Sequence, residues 1–338
     1  MGNFVRKIFF HLTFLLFIIL SIYPLLSHSS DLYKYHQVAM GTSIEITLQG
    51  GDEEVSQKVA LQAFEEIKRI EQLMSPWIET SDVSRLNRSA GKEWVKVSLE
   101  TFEVIQKSQK ISGLSGGAFD ITIAPLTQLW RMAREKGVPP APEEIKNLMG
   151  LVNFKNLLVH SDGNAYLKKK GMAIDLGGIA KGYAVDRTFE TLTALGYKNL
   201  IVNAGGDLRV GGFKNNQPWS IGIQDPRDFR KIMAKISISD SAIATSGDYE
   251  KFFIYQDRRY HHILNPKTGY PAEECQSVTI LCKDGMTADG LATAVFVLGS
   301  VMGYDLCQKM KGVECLIVDR EGKALMTPGL KDLISFNP

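Results

Sequence analysis

The spacing of the apolar residues changes near the middle of the chain, and this change restricts the fold more than any other feature. The early segments, such as Val55 to Met74, repeat their apolar residues at the spacing of amphipathic helices. From Leu157 onward, short β-rich segments are separated by turn-forming residues such as Ser161-Asp-Gly-Asn164. Helices first and strands later indicate an α+β fold. We therefore predict mixed, largely antiparallel sheets flanked by helices, in a single large domain with two closely joined lobes.

Local signals predict the individual elements. The segment from His36 to Leu48 alternates as a strand, and Ser98 caps a helix that ends near Gly113. Further helices are expected from Ile179 to Leu195 and from about Thr287 to Leu298, the latter followed by a last short helix and a terminal hairpin. The remaining strands are expected at 157–160, 165–168, 200–203, 219–224, 232–237, 252–256 and 278–282.

The N-terminal segment has the pattern of a secretory signal peptide. Arg6 and Lys7 precede an apolar run from Ile8 to Leu26, and small residues follow it. The alternative is an uncleaved membrane anchor, although the run is close to the lower length limit for a spanning helix and Pro24 interrupts its end. We predict a signal segment at 1–29, an exported periplasmic domain at 30–338, and attachment to the inner membrane if the signal is retained.

Net charge and cysteine usage exclude several classes of function. Without Arg6 and Lys7, the 39 Lys and Arg residues fall to 37, which equals the 37 acidic residues. A neutral chain is not expected to bind nucleic acid. The four cysteines contain no Cys-x-x-Cys pair, so they do not indicate a thiolate zinc site. One disulfide and four small buried side chains remain equally open.

A glycine pair separates a strand from a helix at Asp175-Leu-Gly177-Gly178-Ile-Ala180-Lys181. The backbone N–H groups at such a helix start can bind a phosphate. The pattern is neither a Walker loop nor the dinucleotide fingerprint. Taken alone, glycines at a strand-to-helix turn are more often only a structural turn.

A second glycine pair follows a strand at Asn203-Ala-Gly205-Gly206-Asp207. Two such turns suggest that the backbone approaches one ligand from two sides. A pair of tight bends between strands is the alternative.

Asp289 and Thr293 are four residues apart in a predicted helix and therefore share one face. Their oxygens suit a hard cation such as Mg²⁺, provided that backbone, water or substrate oxygens complete the coordination. The plainer alternative is that Asp289 caps the helix and Thr293 bonds back to a carbonyl of its own helix.

The adjacent residues His261 and His262 lie where a strand joins a turn, and neighbouring side chains of an extended chain point to opposite faces. At most one of them is therefore expected to face a site, where it could accept a proton at neutral pH. Aromatic rings at Trp77 and Phe119 stand next to proline or glycine breaks and can either stack on a planar ring system or pack in the core.

Together these segments resemble the FAD:protein FMN transferase (ApbE-like) family. The resemblance runs from Met40 to about Gly299, and the matching motifs occur in the same order. They are Met40-Gly-Thr, Leu73-Met-Ser with Ser-Arg-Leu-Asn87, Gly-Gly-Ala118-Phe-Asp120, Asp175-Leu-Gly-Gly-Ile-Ala-Lys-Gly-Tyr183, Asn203-Ala-Gly-Gly-Asp207, Ala244-Thr-Ser-Gly247, His262-Ile-Leu-Asn-Pro-Lys-Thr-Gly269 and Asp289 with Thr293.

The resemblance implies a set of site residues. It implies that Mg²⁺ is bound by Asp289, Thr293 and the backbone carbonyl of Ala180, and that His262 lies beside the pyrophosphate of FAD. The positions that the resemblance places against the flavin nucleotide, with Lys181 from the glycine turn added, are Met40, Trp77, Ala118, Phe119, Asp120, Gly177, Lys181, Tyr183, His262 and Ile263. Trp77 stands where the family often has tyrosine, and Asn265 where it often has aspartate.

The implied reaction is Mg²⁺-dependent transfer of FMN from FAD to a Thr or Ser hydroxyl of a target protein, with release of AMP. His262 and Asp289 are the expected catalytic residues. The family's target motif, Asp-x-x-(Ser/Thr)-Gly-Ala-(Ser/Thr), does not occur in this chain. The expected partner is therefore another protein, an exported or membrane-bound electron-transfer subunit. Hydrolysis of FAD to FMN and AMP, and non-catalytic flavin binding in the periplasm, are the alternatives.

Overall fold

The computed structural model describes residues 31–336. The predicted signal segment lies outside these residues. The helices of the described chain are α1 (Glu53–Met74), α2 (Asp82–Arg88), α3 (Leu99–Leu114), α4 (Ala124–Lys136), α5 (Pro142–Met149), α6 (Ala180–Ala194) and α7 (Gly285–Gln308). The strands are β1 (Leu32–Ala39), β2 (Thr42–Gln49), β3 (Val95–Lys96), β4 (Leu157–His160), β5 (Asn164–Leu167), β6 (Leu200–Ala204), β7 (Asp207–Gly211), β8 (Trp219–Gln224), β9 (Ile232–Ile238), β10 (Ser241–Gly247), β11 (Phe252–Tyr255), β12 (Arg258–His261), β13 (Cys275–Cys282), β14 (Glu314–Asp319), β15 (Ala324–Met326) and β16 (Ile334–Phe336).

One large antiparallel sheet organises the molecule. Its eight strands follow the order β1-β2-β6-β7-β10-β13-β14-β15. One face carries α1, α6 and α7, and the other face is covered by the three-stranded sheet β16-β9-β8 through an apolar layer that includes Trp219, Ile236 and Leu316. The helices α2 and α3 and the small sheet β3-β5-β4 join the same apolar core as α7. The predicted α+β fold in a single domain is confirmed.

The helix α7 is the central helix of this core. It is long and apolar enough to span a membrane by length and composition, but more than half of its most apolar stretch is buried inside the protein. Gly299 breaks the helical geometry with φ of 82°. The two helices predicted for this region are therefore the two halves of α7 on either side of Gly299.

One local expectation needs correction, and one alternative that the sequence left open is decided. The predicted strand from His36 to Leu48 is a hairpin, because Met40 and Gly41 adopt positive φ and reverse the chain between β1 and β2. The four cysteines are buried and free, which is the alternative without a disulfide. The other predicted strands and helices occur within a few residues of their expected bounds.

Candidate active site

Two tight hairpin turns lie side by side at one end of the large sheet. Met40 and Gly41 join β1 to β2 with φ of 52° and 71°, and Gly205 and Gly206 join β6 to β7 with φ of 61° and 98°. Positive φ at both loop residues is typical of the type I′ turns that suit two-residue hairpins. The turns are in contact, because the Gly205 N–H donates to the Ser43 carbonyl at 3.0 Å. Met40, a predicted flavin contact, thus lies next to the second glycine turn.

The turn before α6 is held by its own hydrogen bonds. The Gly177 N–H donates to the Asp175 carboxylate at 2.8 Å. The N–H groups of Ile179 and Ala180 donate to the Leu176 carbonyl at 3.0 and 2.8 Å. These three amides therefore have partners within the chain, and the expectation that they are free to bind a phosphate does not hold for them.

Gly178 allows this turn to approach α7 closely. A Cβ atom at Gly178 would lie 3.1 Å from the Thr293 hydroxyl oxygen and 3.3 Å from the ring of Phe119. Both distances are tighter than ordinary van der Waals contact. The turn therefore brings the ring of Phe119 and the hydroxyl of Thr293, two predicted site groups, to the same point.

The carboxylate of Asp289 and the hydroxyl of Thr293 face the start of α6, as their spacing predicts. Asp289 is buried and accepts a hydrogen bond from the Gly182 N–H at 3.0 Å. The Thr293 hydroxyl lies 3.3 Å from the Ser246 hydroxyl at the end of β10. Ala180 lies between Gly178 and Gly182 in the chain, so its chain segment borders both Asp289 and Thr293.

The plainer alternative for this pair is wrong. The cap of α7 is Asp284, whose carboxylate accepts a hydrogen bond from the Thr287 N–H at 2.8 Å. Asp289 therefore does not cap its own helix, and its carboxylate instead accepts from the first turn of α6.

A second buried carboxylate, from Asp207 at the start of β7, completes the cluster. The Lys181 ammonium contacts Asp207 and lies 3.7 Å from the Asp289 carboxylate. Burial, followed by the negative charge of Asp289, raises the pKa of Asp207 to about 7, although Lys181 opposes this rise. Burial alone would lower the pKa of Lys181, but Asp207 and Asp289 outweigh it and raise that pKa. Sequence reasoning noted Asp207 after the second glycine pair but gave it no role, because only the fold brings it to α7.

The two histidines point to opposite faces, as the strand pattern predicts. His261 is buried; its Nε2 lies 2.6 Å from the Ala272 carbonyl, and its Nδ1 accepts from the Ile263 N–H at 3.2 Å. This arrangement fixes one neutral tautomer, and burial lowers the pKa of His261. His262 is exposed to solvent, while His261 and Ile263 are buried in the chain on either side of it.

The surroundings of His262 are positively charged. Desolvation by the surrounding protein lowers the pKa of His262, and the charges of His261, Lys251, Lys181 and Arg134 lower it further. His262 is thus an exposed residue with several positive charges nearby. Excess positive charge at a surface favours an anionic ligand. Lys251 and Arg134 carried no signal in the sequence.

Asp120 is occupied by local hydrogen bonds. Its carboxylate accepts from the Thr122 N–H at 2.8 Å, the Thr122 hydroxyl at 2.6 Å and the Phe154 N–H at 2.8 Å. Burial raises the pKa of Asp120. In this arrangement the Gly-Gly-Ala118-Phe119-Asp120 segment is a rigid support, in which Ala118 and Phe119 are also buried.

Two predicted flavin-binding rings differ in their exposure to solvent. Tyr183 is buried, and its hydroxyl lies 3.3 Å from Glu103 on α3. Trp77 is 67% exposed, and the Arg131 guanidinium lies 4.3 Å from the centre of its ring. Trp77 is thus available to stack on a planar ligand, whereas Tyr183 belongs to the core between α3 and α6.

The oxygen atoms of this cluster suit a hard cation. Asp207 and Asp289 offer carboxylates, and Thr293 and Ser246 offer hydroxyls, which are the ligands preferred by Mg²⁺ and Mn²⁺. No group of three or more His, Cys, Asp or Glu side chains that could hold a metal occurs within residues 31–336. Backbone, water or substrate oxygens would therefore have to complete the coordination. The Lys181 ammonium already supplies positive charge here, so the residues fit a cation that is shared with an anionic substrate.

Residues 40–317 match the family model described as the ApbE family. This chain belongs to the ApbE family. The match begins at the Met40 turn and ends within β14, so it contains every group of the cluster.

Known members of the ApbE family resemble this chain over most of its length. A FAD:protein FMN transferase of Klebsiella pneumoniae is 30% identical over 87% of this chain and 92% of its own length. One from Vibrio cholerae is 36% identical over 72% of this chain and 74% of its own length. Among solved structures, the ApbE protein of Thermotoga maritima has a TM-score of 0.82 at 36% identity, covering 90% of this chain and 99% of that one.

Proposed function

We propose that this chain transfers FMN from FAD to a Thr or Ser hydroxyl of another protein, with Mg²⁺ as cofactor and AMP as the leaving group. The names of its relatives support flavin transfer. The observation that carries the proposal is the meeting of Asp289, Thr293 and Asp207 with the Lys181 ammonium at the start of α6. Oxygen donors and an ammonium group at one point suit a diphosphate and its cation.

The reaction exchanges one phosphorus–oxygen bond for another. The target hydroxyl oxygen forms a bond to the FMN-side phosphorus, the bond from that phosphorus to the bridging oxygen breaks, and AMP leaves with that oxygen. A Mg²⁺ ion held by Asp289, Thr293 and the Ala180 carbonyl would supply Lewis-acid stabilisation of the leaving phosphate. Lys181 would neutralise charge on the diphosphate without moving far from Asp207.

His262 is the proposed acceptor of the hydroxyl proton. The imidazole of His262 is exposed, so the hydroxyl of another protein can come within hydrogen-bond distance of its ring nitrogen, as general-base catalysis requires. The hydrogen bonds of its neighbour His261 fix the backbone at this point. His261 thus acts as a support, and His262 as the group that faces the reaction.

We further propose that the chain is exported and acts on an exported or membrane-bound electron-transfer subunit. The support is the signal-like pattern of residues 1–29 and the lack of the target motif in the chain itself. Cell fractionation tests the location, since the proposal requires the protein outside the cytoplasm.

The decisive experiment incubates the full chain with FAD, Mg²⁺ and a protein that carries the target motif. The partner's intact mass and in-gel flavin fluorescence report FMN attachment, and chromatography reports AMP. Equal release of AMP and gain of FMN by the partner supports the transferase. Release of FMN and AMP without modification of the partner indicates hydrolysis, and retention of intact FAD indicates a binding protein.

The metal assignment is tested with Asp289→Ala. We expect the transfer rate to fall by about 100-fold or more at ordinary Mg²⁺, because the substitution removes a charged ligand from the reacting centre. The matched control is Asp305→Ala, which removes an exposed carboxylate from the same helix. A rate for Asp289→Ala equal to that of the control would exclude Asp289 as a metal ligand.

A further inference from the structure

The helices α6 and α7 touch through their backbones at a pair of glycines. A Cβ atom at Gly182 would lie 2.6 Å from the Gly285 carbonyl carbon, and one at Gly285 would lie 2.7 Å from the Gly182 carbonyl oxygen. No side chain fits between them. The distance between the two helices is therefore set by backbone contact at this point, close to the Gly182 N–H that donates to Asp289.

Asp186 joins the same two helices one turn after Gly182. Its carboxylate accepts hydrogen bonds from the Gly285 N–H at 2.7 Å and the Met286 N–H at 2.9 Å. These are the first two amides of α7, which have no partner within their own helix. A carboxylate at a helix N-terminus also interacts favourably with the helix dipole.

Ordinary capping does not account for Asp186, because α7 already has a cap in its own chain segment. Asp284 accepts from the Thr287 N–H and the Thr287 hydroxyl at 2.8 and 2.6 Å. Asp284 directly precedes α7 in the chain, whereas Asp186 belongs to α6. Asp186 therefore fixes the start of α7 relative to α6, and not only the shape of α7.

Burial raises the pKa of Asp186 to about 6, and the hydrogen bonds from Gly285 and Met286 and the charge of Arg209 oppose this rise. The Arg209 Nε atom lies 3.9 Å from the Asp186 carboxylate, and its guanidinium lies 5.0 Å from the centre of the Phe189 ring. Both Nε and Nη1 are buried without a hydrogen bond in the described chain. The carboxylate of Asp186 is thus the nearby acceptor that balances this buried guanidinium.

We propose that Asp186 is a positioning residue for the cation site: it locks the first turn of α7 onto α6 so that Asp289, one turn further, meets the Gly182 amide and the Lys181 ammonium. The inference rests on the proposed Mg²⁺-dependent function. Asp186 does not contact the site itself, and it acts through the position of Asp289. Groups that orient a ligand in this way typically change metal affinity by about 10- to 100-fold when they are replaced.

The test compares Asp186→Asn and Asp186→Ala with the matched control Asp284→Ala. Mg²⁺ binding is measured by calorimetry without FAD, and the Mg²⁺ concentration for half-maximal transfer and the KM for FAD are measured in the full reaction. We expect both Asp186 variants to weaken Mg²⁺ binding by about 10-fold or more. Asp284→Ala should lower the melting temperature through loss of a cap but leave Mg²⁺ affinity within about twofold of wild type.

Three results would overturn the inference. The first is that Asp186→Asn binds Mg²⁺ as tightly as wild type. The second is that Asp284→Ala loses as much Mg²⁺ affinity as the Asp186 variants, which would mean that any damage to the start of α7 weakens Mg²⁺ binding. If Asp186→Ala does not fold, Asp186→Asn decides, since it keeps the shape and one acceptor oxygen. Wild-type transfer that needs no divalent cation would refute the metal-dependent function itself, and is distinguishable because it requires no variant.

Discussion

Replacement of Gly182 by alanine probes the contact on which the candidate site depends. The new Cβ would lie 2.6 Å from the Gly285 carbonyl carbon and 2.8 Å from the Asp289 Cβ, far inside normal contact distance. The obstacles are a backbone and the stem of a buried side chain, so neither can rotate away. The helices α6 and α7 must separate, and the hydrogen bond from the Gly182 N–H to Asp289, now 3.0 Å, must lengthen.

The expected cost of Gly182→Ala follows from three contributions. Overpacking of a close-packed contact costs about 1–3 kcal/mol. Loss of a hydrogen bond to a buried carboxylate costs about 1.5–3 kcal/mol. Alanine in place of glycine stabilises a helix by about 1 kcal/mol. The free energy of unfolding should therefore fall by about 1.5–5 kcal/mol. The Mg²⁺ concentration for half-maximal transfer should rise, because Asp289 is displaced.

The assay is urea unfolding of wild type, Gly182→Ala and the control Gly113→Ala, with Mg²⁺ binding measured on each. Gly113 lies near the end of α3, and a Cβ there would meet no atom within 4 Å. Gly113→Ala should be neutral or stabilising by about 0.5–1 kcal/mol. If Gly182→Ala matches this control in both stability and Mg²⁺ affinity, the two helices do not cross as closely as described and the reasoning fails.

Two further predictions concern Thr293 and His261. Thr293→Val should raise the Mg²⁺ concentration for half-maximal transfer, and loss of the Ser246 contact should lower the free energy of unfolding by about 1 kcal/mol, whereas Thr293→Ser should keep both the Mg²⁺ requirement and the stability of wild type. Equal behaviour of the two variants would exclude the hydroxyl as a ligand. The pKa of His261 is lower in the folded protein than its ordinary value of 6.5, so the unfolded state takes up the proton first and the free energy of unfolding should fall as pH drops below 6.5. His261→Gln should make this pH dependence shallower in denaturant titrations, and parallel curves for the two proteins would contradict the assignment.

The sequence predicted the elements that local pattern determines. The helix α1 was readily found because its buried residues repeat at helical spacing, and the turn residues 161–164 marked the β4–β5 hairpin. The strand β10 was missed. Its residues, Ser241-Ala-Ile-Ala-Thr-Ser-Gly247, have little intrinsic preference for a strand, and the strand forms because β7 and β13 pair with it on either side.

In the site too, local pattern predicted some residues, and contacts between distant segments determine the others. The pairing of Asp289 with Thr293 and the opposite directions of His261 and His262 follow from helix and strand periodicity, so both were predicted. Asp207, Asp186 and Lys251 reach their positions only through contacts between distant segments. A single sequence carries no spacing that connects Asp207 with Asp289, which are brought together by the pairing of β7 with β10 and the packing of α7 on the sheet.

The position of Lys181 explains how this site can fold before any ligand arrives. Two buried carboxylates at close range cannot both carry a charge without a compensating cation, because like charges in a poorly solvated place repel strongly. The Lys181 ammonium contacts Asp207 and lies 3.7 Å from Asp289, so it supplies that compensation. A divalent cation at Asp289 would compensate the charge of that carboxylate in place of Lys181. The Lys181 ammonium could then also interact with a diphosphate. The charges of Asp207, Asp289 and Lys181 thus suit both the folded protein alone and a complex in which a cation and an anionic substrate enter together.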